Sequence, residues 1–130
     1  MIEPRQRSLS FLKWQASADV DQVAGEARLR YITDVPGQQA VYITKLEQAR
    51  AYVANPAVSQ PYIAAEALAR GVTAGEVAQL VLDMAELWND EIGPAIEAAR
   101  IKAKLAIEAA ADAAAVDVAR AAGVQVLQAL

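Results

Sequence analysis

Thr73-Ala-Gly-Glu-Val-Ala-Gln-Leu-Val-Leu-Asp-Met-Ala-Glu-Leu-Trp88 is the stretch whose reading decides the fold. Thr73 with Glu76 three residues on has the form of a capping box, in which hydroxyl and carboxylate each satisfy the other residue's orphan amide at a helix start. Val77, Leu80, Val81, Met84 and Trp88 then recur at helical spacing, which predicts an amphipathic helix and nominates this stripe as the hydrophobic centre.

Downstream, Gly93-Pro94 interrupts the pattern, because proline removes a backbone donor and crowds the carbonyl four residues back. The expectation is a kink or short break with little change of direction. Ala95 to Ala122 contains no breaker and has the highest helix propensity in the chain. A long kinked helical rod from Thr73 is therefore expected. Its stripe of Ile92, Ile96, Ala99, Ala103, Ala106 and Ala110 becomes small-sided, while Ile101, Leu105 and Val116 lie on a neighbouring one. Such a rod gains little by lying on a small core and is expected to bundle with copies of itself in an oligomer, although no heptad of large residues supports a regular two-stranded coiled coil. Gly123 is expected to loosen it before an apolar tail containing Val124 and Leu127.

Upstream, Pro61 to Arg70 reads as a short helix with proline at its first position and Gly71 just past its end. Tyr42, Leu46, Ala49 and Val53 form another stripe that ends near Asn55-Pro56. Asp34-Val-Pro-Gly37 is a turn signal. Asp19 as cap, with Val20, Val23, Ala24, Ala27 and Tyr31 on one face, predicts a helix from about Val20 to Ile32 that forms a hairpin with the next. Ser8 to Gln15 alternates and is the one strand candidate; it reads as an extended arm or strand that packs Phe11 and Trp14 against a neighbour. The fold class is thus mainly α. The expected division is an N-terminal arm over 1–18, a helical domain over 19–92 and a C-terminal alanine-rich helix over 93–130.

Composition sharpens this picture. Of the 130 residues 55% are hydrophobic, but 31 are alanine, so the stock of large core side chains is modest. There is no cysteine and no histidine, which removes disulfides, thiolate and imidazole chemistry and the usual zinc and haem ligands. Twelve basic against sixteen acidic side chains leave a net charge of −4, which disfavours nucleic acid as a partner. The N-terminal residues 1–14 lack a signal-peptide pattern, and no run approaches the roughly 20 apolar residues that span a bilayer, so neither secretion by that route nor a membrane partner is expected.

The remaining constellations have plain structural readings. Asp83, Glu86 and Asp90 share a helix flank but supply too few converging oxygens for a cation and read as a solvated acidic face. Arg100, Lys102 and Lys104 have Glu97 and Glu108 at pairing distance. Arg28 and Arg30 beside Tyr31 read as a flank whose stems cover apolar surface. Trp88 completes a stripe and reads as a core or interface anchor, and for Trp14, outside any regular stripe, interface contact and core packing are both open. No nucleophile with a base, paired carboxylates on separate elements or phosphate loop can be assembled, so no enzyme, cofactor, metal or small-molecule substrate is expected.

Ala27-Arg-Leu-Arg-Tyr-Ile-Thr33, with Pro36-Gly-Gln38, Tyr42, Lys45 and Gln48-Ala-Arg-Ala-Tyr52, resembles small proteins encoded in the tail-gene region of tailed bacteriophages, particularly those infecting Pseudomonas and related bacteria. Ala64-Ala-Glu66, Gly71-Val-Thr73, Trp88 and Ile96-Glu-Ala-Ala-Arg100 extend the resemblance, which covers Val20 to Ala111. It implies a virion or tail-associated component, made in the host cytoplasm, whose partners are other virion or tail proteins. A structural part of the tail or tail-fibre apparatus and an assembly chaperone that leaves the mature virion are both open. The surfaces expected to meet partners are Phe11 and Trp14 in the arm, Ile96, Ala99, Ala103, Ala106 and Ala110 on the rod, and Val124 and Leu127 in the tail.

Overall fold

The computed structural model describes residues 8–32 and 37–130, so Met1 to Arg7 and the Asp34-Val-Pro part of the expected turn lie outside the described residues. The elements are helical throughout, with no strand among the described residues: α1 (Leu9–Leu29), α2 (Gln38–Ala54), α3 (Pro61–Arg70), α4 (Ala74–Glu86), a π-helical segment (Leu87–Ile92), α5 (Gly93–Ala109) and α6 (Ala113–Gln128). They form two compact units, one made of residues 1–32 with 92–130 and the other of 33–91.

The first correction concerns the expected N-terminal arm. Residues 9–18 are not extended but form the first half of α1, and the cap is Ser8, whose hydroxyl accepts from the Phe11 amide at 3.1 Å. Asp19 lies inside the helix. The physical reason is that Ala16, Val20, Ala24 and Ala27 continue one buried stripe back through the supposed boundary, so α1 buries more as a single helix than as an arm followed by a helix.

The second correction concerns the terminal rod. The chain leaves the helix at Ala110, whose backbone is extended (φ −64°, ψ 134°), and restarts at Asp112, whose carboxylate accepts from the Ala115 amide at 2.8 Å. α6 therefore folds back on α5 instead of prolonging it. Pro94 sits in the first turn of α5, and the six residues before Gly93 adopt the wider π turn, which accommodates the missing donor and the proline ring without a coil residue.

Unit one is a bundle of α1, α5 and α6. Lys13 reaches the Glu108 carbonyl and Arg28 reaches Glu97, so α1 and α5 run antiparallel. Arg30 and Tyr31, at the end of α1, donate to the Leu127 and Leu130 carbonyls at 2.8 Å each and so tie the end of α1 to the end of α6. Val20, Ile96, Ile107, Val116 and Leu127 are fully buried at its centre. Gly123 does not loosen α6. It is buried in mid-helix against α5, and a Cβ there would lie 2.4 Å from the Ala103 Cβ, so glycine is what lets the two helices meet.

Unit two joins α2, α3 and α4 over Ala49, Ile63, Ala67, Val77, Ala78 and Val81. Its local signals are realised as the sequence predicts. Thr73 accepts from the Glu76 amide at 3.1 Å while the Glu76 carboxylate accepts from the Thr73 amide at 2.8 Å. Gly71 adopts φ 70° after α3, and the Val72 amide reaches back to the Ala67 carbonyl at 3.0 Å, a Schellman closure. Gly37 takes φ 82° ahead of α2. The stripe of α4 is only partly buried: Val77 and Val81 are core, joined by Ala78 and Ala85, while Leu80 and Met84 are exposed. Alanine lets α2 approach on the side the larger residues do not cover. The Tyr42 hydroxyl is buried with no hydrogen-bond partner among the described residues, and burial pushes its pKa up.

Two outcomes check these contacts. Gly123→Ala should destabilise by about 1–3 kcal/mol in chemical denaturation, as overpacking does, and adding Ala103→Gly should recover about 1 kcal/mol or more as a coupling between touching sites. Tyr42→Phe should be neutral or stabilising by about 1 kcal/mol, since it removes a desolvated hydroxyl that makes no bond.

Candidate interaction surface

The exposed aromatic pair arises directly from the start of α1. The Ser8 cap places Phe11 and Trp14 three residues apart in the first two turns, opposite the stripe that faces α5 and α6. Their ring centroids are 5.9 Å apart with planes tilted by 36°. Trp14 is 67% exposed and Phe11 41% exposed. Along the same outward face Gln15, Ala18, Gln22, Gly25 and Leu29 follow at alternating spacings of three and four, and Ile32 lies in the bend just past the helix end. None carries a charge. Ala18 and Gln22 are exposed, and open space surrounds Gly25.

Two charges of α1, Asp21 and Arg28, are turned along its flank toward α5, while Glu26 lies beside Gln22 and accepts from its side chain at 3.4 Å. Arg100 holds the centre of a ladder, donating to Glu97 at 2.7 Å and to Asp21 at 2.9 Å; Arg28 reaches Glu97 at 2.9 Å and Lys104 reaches Asp21 at 2.8 Å. Hydrogen bonds from Lys104 and Arg100 hold the Asp21 carboxyl below its ordinary range, the Arg100 guanidinium does the same for Glu97, and Glu97 with Asp21 raises Arg100. The expected pairing of Arg100 with Glu97 is present, whereas Lys104 takes Asp21, a residue 83 positions away that no local spacing could identify. Arg28 and Arg30 likewise spend their guanidinium groups on bonds within the unit.

The other residues nominated from sequence fall into two groups. Ile96, Ala103, Ala110 and Leu127 are buried inside unit one, where they close α5, α6 and α1 on one another, because the chain turns back at Ala110 and covers its own stripe. Ala99 and Val124 are half-buried and Ala106 is exposed. Sequence reasoning missed the outward residues of α5 and α6: Leu105 is 60% exposed and Val118 71% exposed. The signal that could have identified α6 is its charge content, since Asp117 and Arg120 are the charged residues in Ala113–Gln128.

In unit two, Asp83 accepts from the Gln79 side chain at 2.7 Å, while Glu86 and Asp90 line a shallow cleft of about 190 Å³ with Leu46, Arg50, Leu82, Ala85 and Asn89. Lys45 and Arg70 both pair with Glu66, and the Lys45 hydrogen bond holds that carboxyl below its ordinary range. Among the described residues no group of three or more acidic, cysteine or histidine side chains is placed to hold a metal ion, and no helix is long and apolar enough to cross a membrane. Among the described residues, unit one carries seven acidic and seven basic side chains, and unit two seven acidic and three basic. The negative charge thus belongs to unit two and the aromatic pair to unit one.

Compared with known proteins, the chain matches no family model, no curated sequence and no solved structure.

The ladder makes a pH signature. Asp21 and Glu97 have folded pKa values below their unfolded ones, so their stabilisation is present above the unfolded carboxylate range and lost as pH falls through the folded values. Stability measured by urea denaturation should therefore be level from neutral pH to about 5 and decline below about 4. Asp21→Asn should lower the neutral-pH stability and flatten part of that decline.

Proposed function

We propose that the chain is a non-enzymatic structural component of a tailed-bacteriophage particle, from the tail or tail-fibre apparatus, and that it works by protein–protein assembly. The resemblance of Ala27–Thr33 and the segments after it to phage tail-region proteins supplies the context. The observation that carries the assembly role is the aromatic pair of Phe11 and Trp14, held outward on a helix whose other face is already buried. Tryptophan left this exposed at the end of a packed bundle is the residue type that anchors interfaces, where its large rigid surface is desolvated with little entropy cost.

The two faces of α1 have separable tasks in this reading. The inward stripe of small residues holds the bundle, so the outward face can change partner without unfolding the unit. The partners are other virion or tail proteins and further copies of the chain, the location is the virion tail region, and no cofactor takes part.

Mass spectrometry of purified particles tests the proposal. Detection at a fixed copy number in mature virions is the expected outcome. Presence in infected lysate as a soluble complex with a tail or fibre protein, together with absence from virions, would establish the assembly-chaperone reading in its place.

A further inference from the structure

We infer that the outward face of α1 is a homodimer seam on which a second copy of the same helix packs antiparallel, with the two-fold axis passing beside Gln22. The inference deepens the assembly reading above by naming one partner and the residues that meet it.

Size is the first reason for this occupant. At roughly 150–250 Å² for an aromatic side chain, the 67% and 41% exposures of Trp14 and Phe11 leave about 250 Å² per copy to be covered. Leu29, Ile32 and the small residues between them about double that, so a two-fold contact buries about 1,000 Å² in all, the lower bound for a specific, weak interface. The strip is one helix wide, which a second copy of α1 matches along its length.

Shape is the second reason. In an isologous contact each residue meets the one placed symmetrically about the axis. Antiparallel pairing about a point between Asp21 and Gln22 sets Trp14 against Leu29, large on large at both ends, and Ala18 against Gly25 in the middle, with Phe11 over the end of α1 beside Ile32. Gly25 has nothing within 4 Å of a built Cβ, so the crossing point has room for a close approach. Charge is the third. Unit one is neutral over its described residues, Asp21, beside the axis, is held by Lys104 and Arg100 of its own copy, and Glu26, which accepts from Gln22, falls opposite Ser17 in this register, so no two carboxylates face one another. Unit two, with seven acidic against three basic side chains among its described residues, would oppose a copy of itself.

The chain has no cysteine, so single-cysteine variants of the full chain report the geometry directly. Facing helices 8–10 Å apart bring Cα atoms at the crossing to about 4–5 Å, within disulfide reach. Position 29 lies about 22 Å along the helix from its own copy in the antiparallel pair. Under mild oxidation Gln22→Cys should form a disulfide dimer at least tenfold faster than Leu29→Cys. Sedimentation of the unmodified chain should show a reversible dimer that strengthens with concentration through the micromolar range, and Ala18→Arg should return it to monomer with an unchanged helical circular dichroism signal. A monomer at 0.5 mM overturns the inference, as does equal cross-linking at positions 22 and 29, which a parallel or random encounter would give. These readouts are independent of virion content, so loss of the dimer and loss of the phage assignment are distinguishable.

Discussion

The closeness of α5 and α6 at Gly123 and Ala103 is the constraint on which the first unit depends. Neither helix has enough large side chains to build a core at ordinary spacing, and the chain compensates by bringing backbones together. A Cβ on Gly123 would lie 2.4 Å from that of Ala103, so the smallest residue is required at that point. With the two helices this close, Ile96, Ile107, Val116 and Leu127, together with Val20 of α1, are all excluded from solvent. Dense packing at short range substitutes for volume.

The polar arrangement follows from the same geometry. Once α1 lies antiparallel on α5, the flank between them has to hold Asp21, Arg28, Glu97, Arg100 and Lys104, and they satisfy one another as a ladder. These groups are partly exposed, so the ladder adds modestly to stability, and its larger effect is on register, because a shift by one turn would separate Asp21 from both of its cations. On the opposite side of α1, Phe11, Trp14, Ala18, Gly25 and Leu29 carry no charge, while Asp21 and Arg28 are taken up by the flank beside α5.

Local chemistry was legible wherever the signal was complete within a few residues. The Thr73–Glu76 box, Pro61 at a helix start, Gly71 past a helix end and Gly37 before the next helix all take the conformations their residue types favour. Two boundaries were hidden for a common reason. Ser8–Gln15 alternates by accident of its serines, while its helical stripe becomes visible when α5 and α6 supply the surface it faces. Ala110–Asp112 sits in a run where every residue favours helix, and Asp112 reads as a surface charge until a helix starts from it. Among the residues nominated as contacts, Phe11 and Trp14 are on the surface, whereas Ile96, Ala103, Ala110 and Leu127 are core. A small apolar stripe is the same sequence whether its own chain or another covers it.

The sequence by itself determined the helical class, the caps and turns and the poverty of large core residues, because propensity and capping act over one or two turns. The tertiary structure decided which helices join into each unit, where the terminal rod folds back and which apolar faces remain outside. Those outcomes depend on contacts between residues some 20 to 100 positions apart, and such contacts leave no local trace: Lys104 finds Asp21, Gly123 finds Ala103, and Arg30 finds the end of α6.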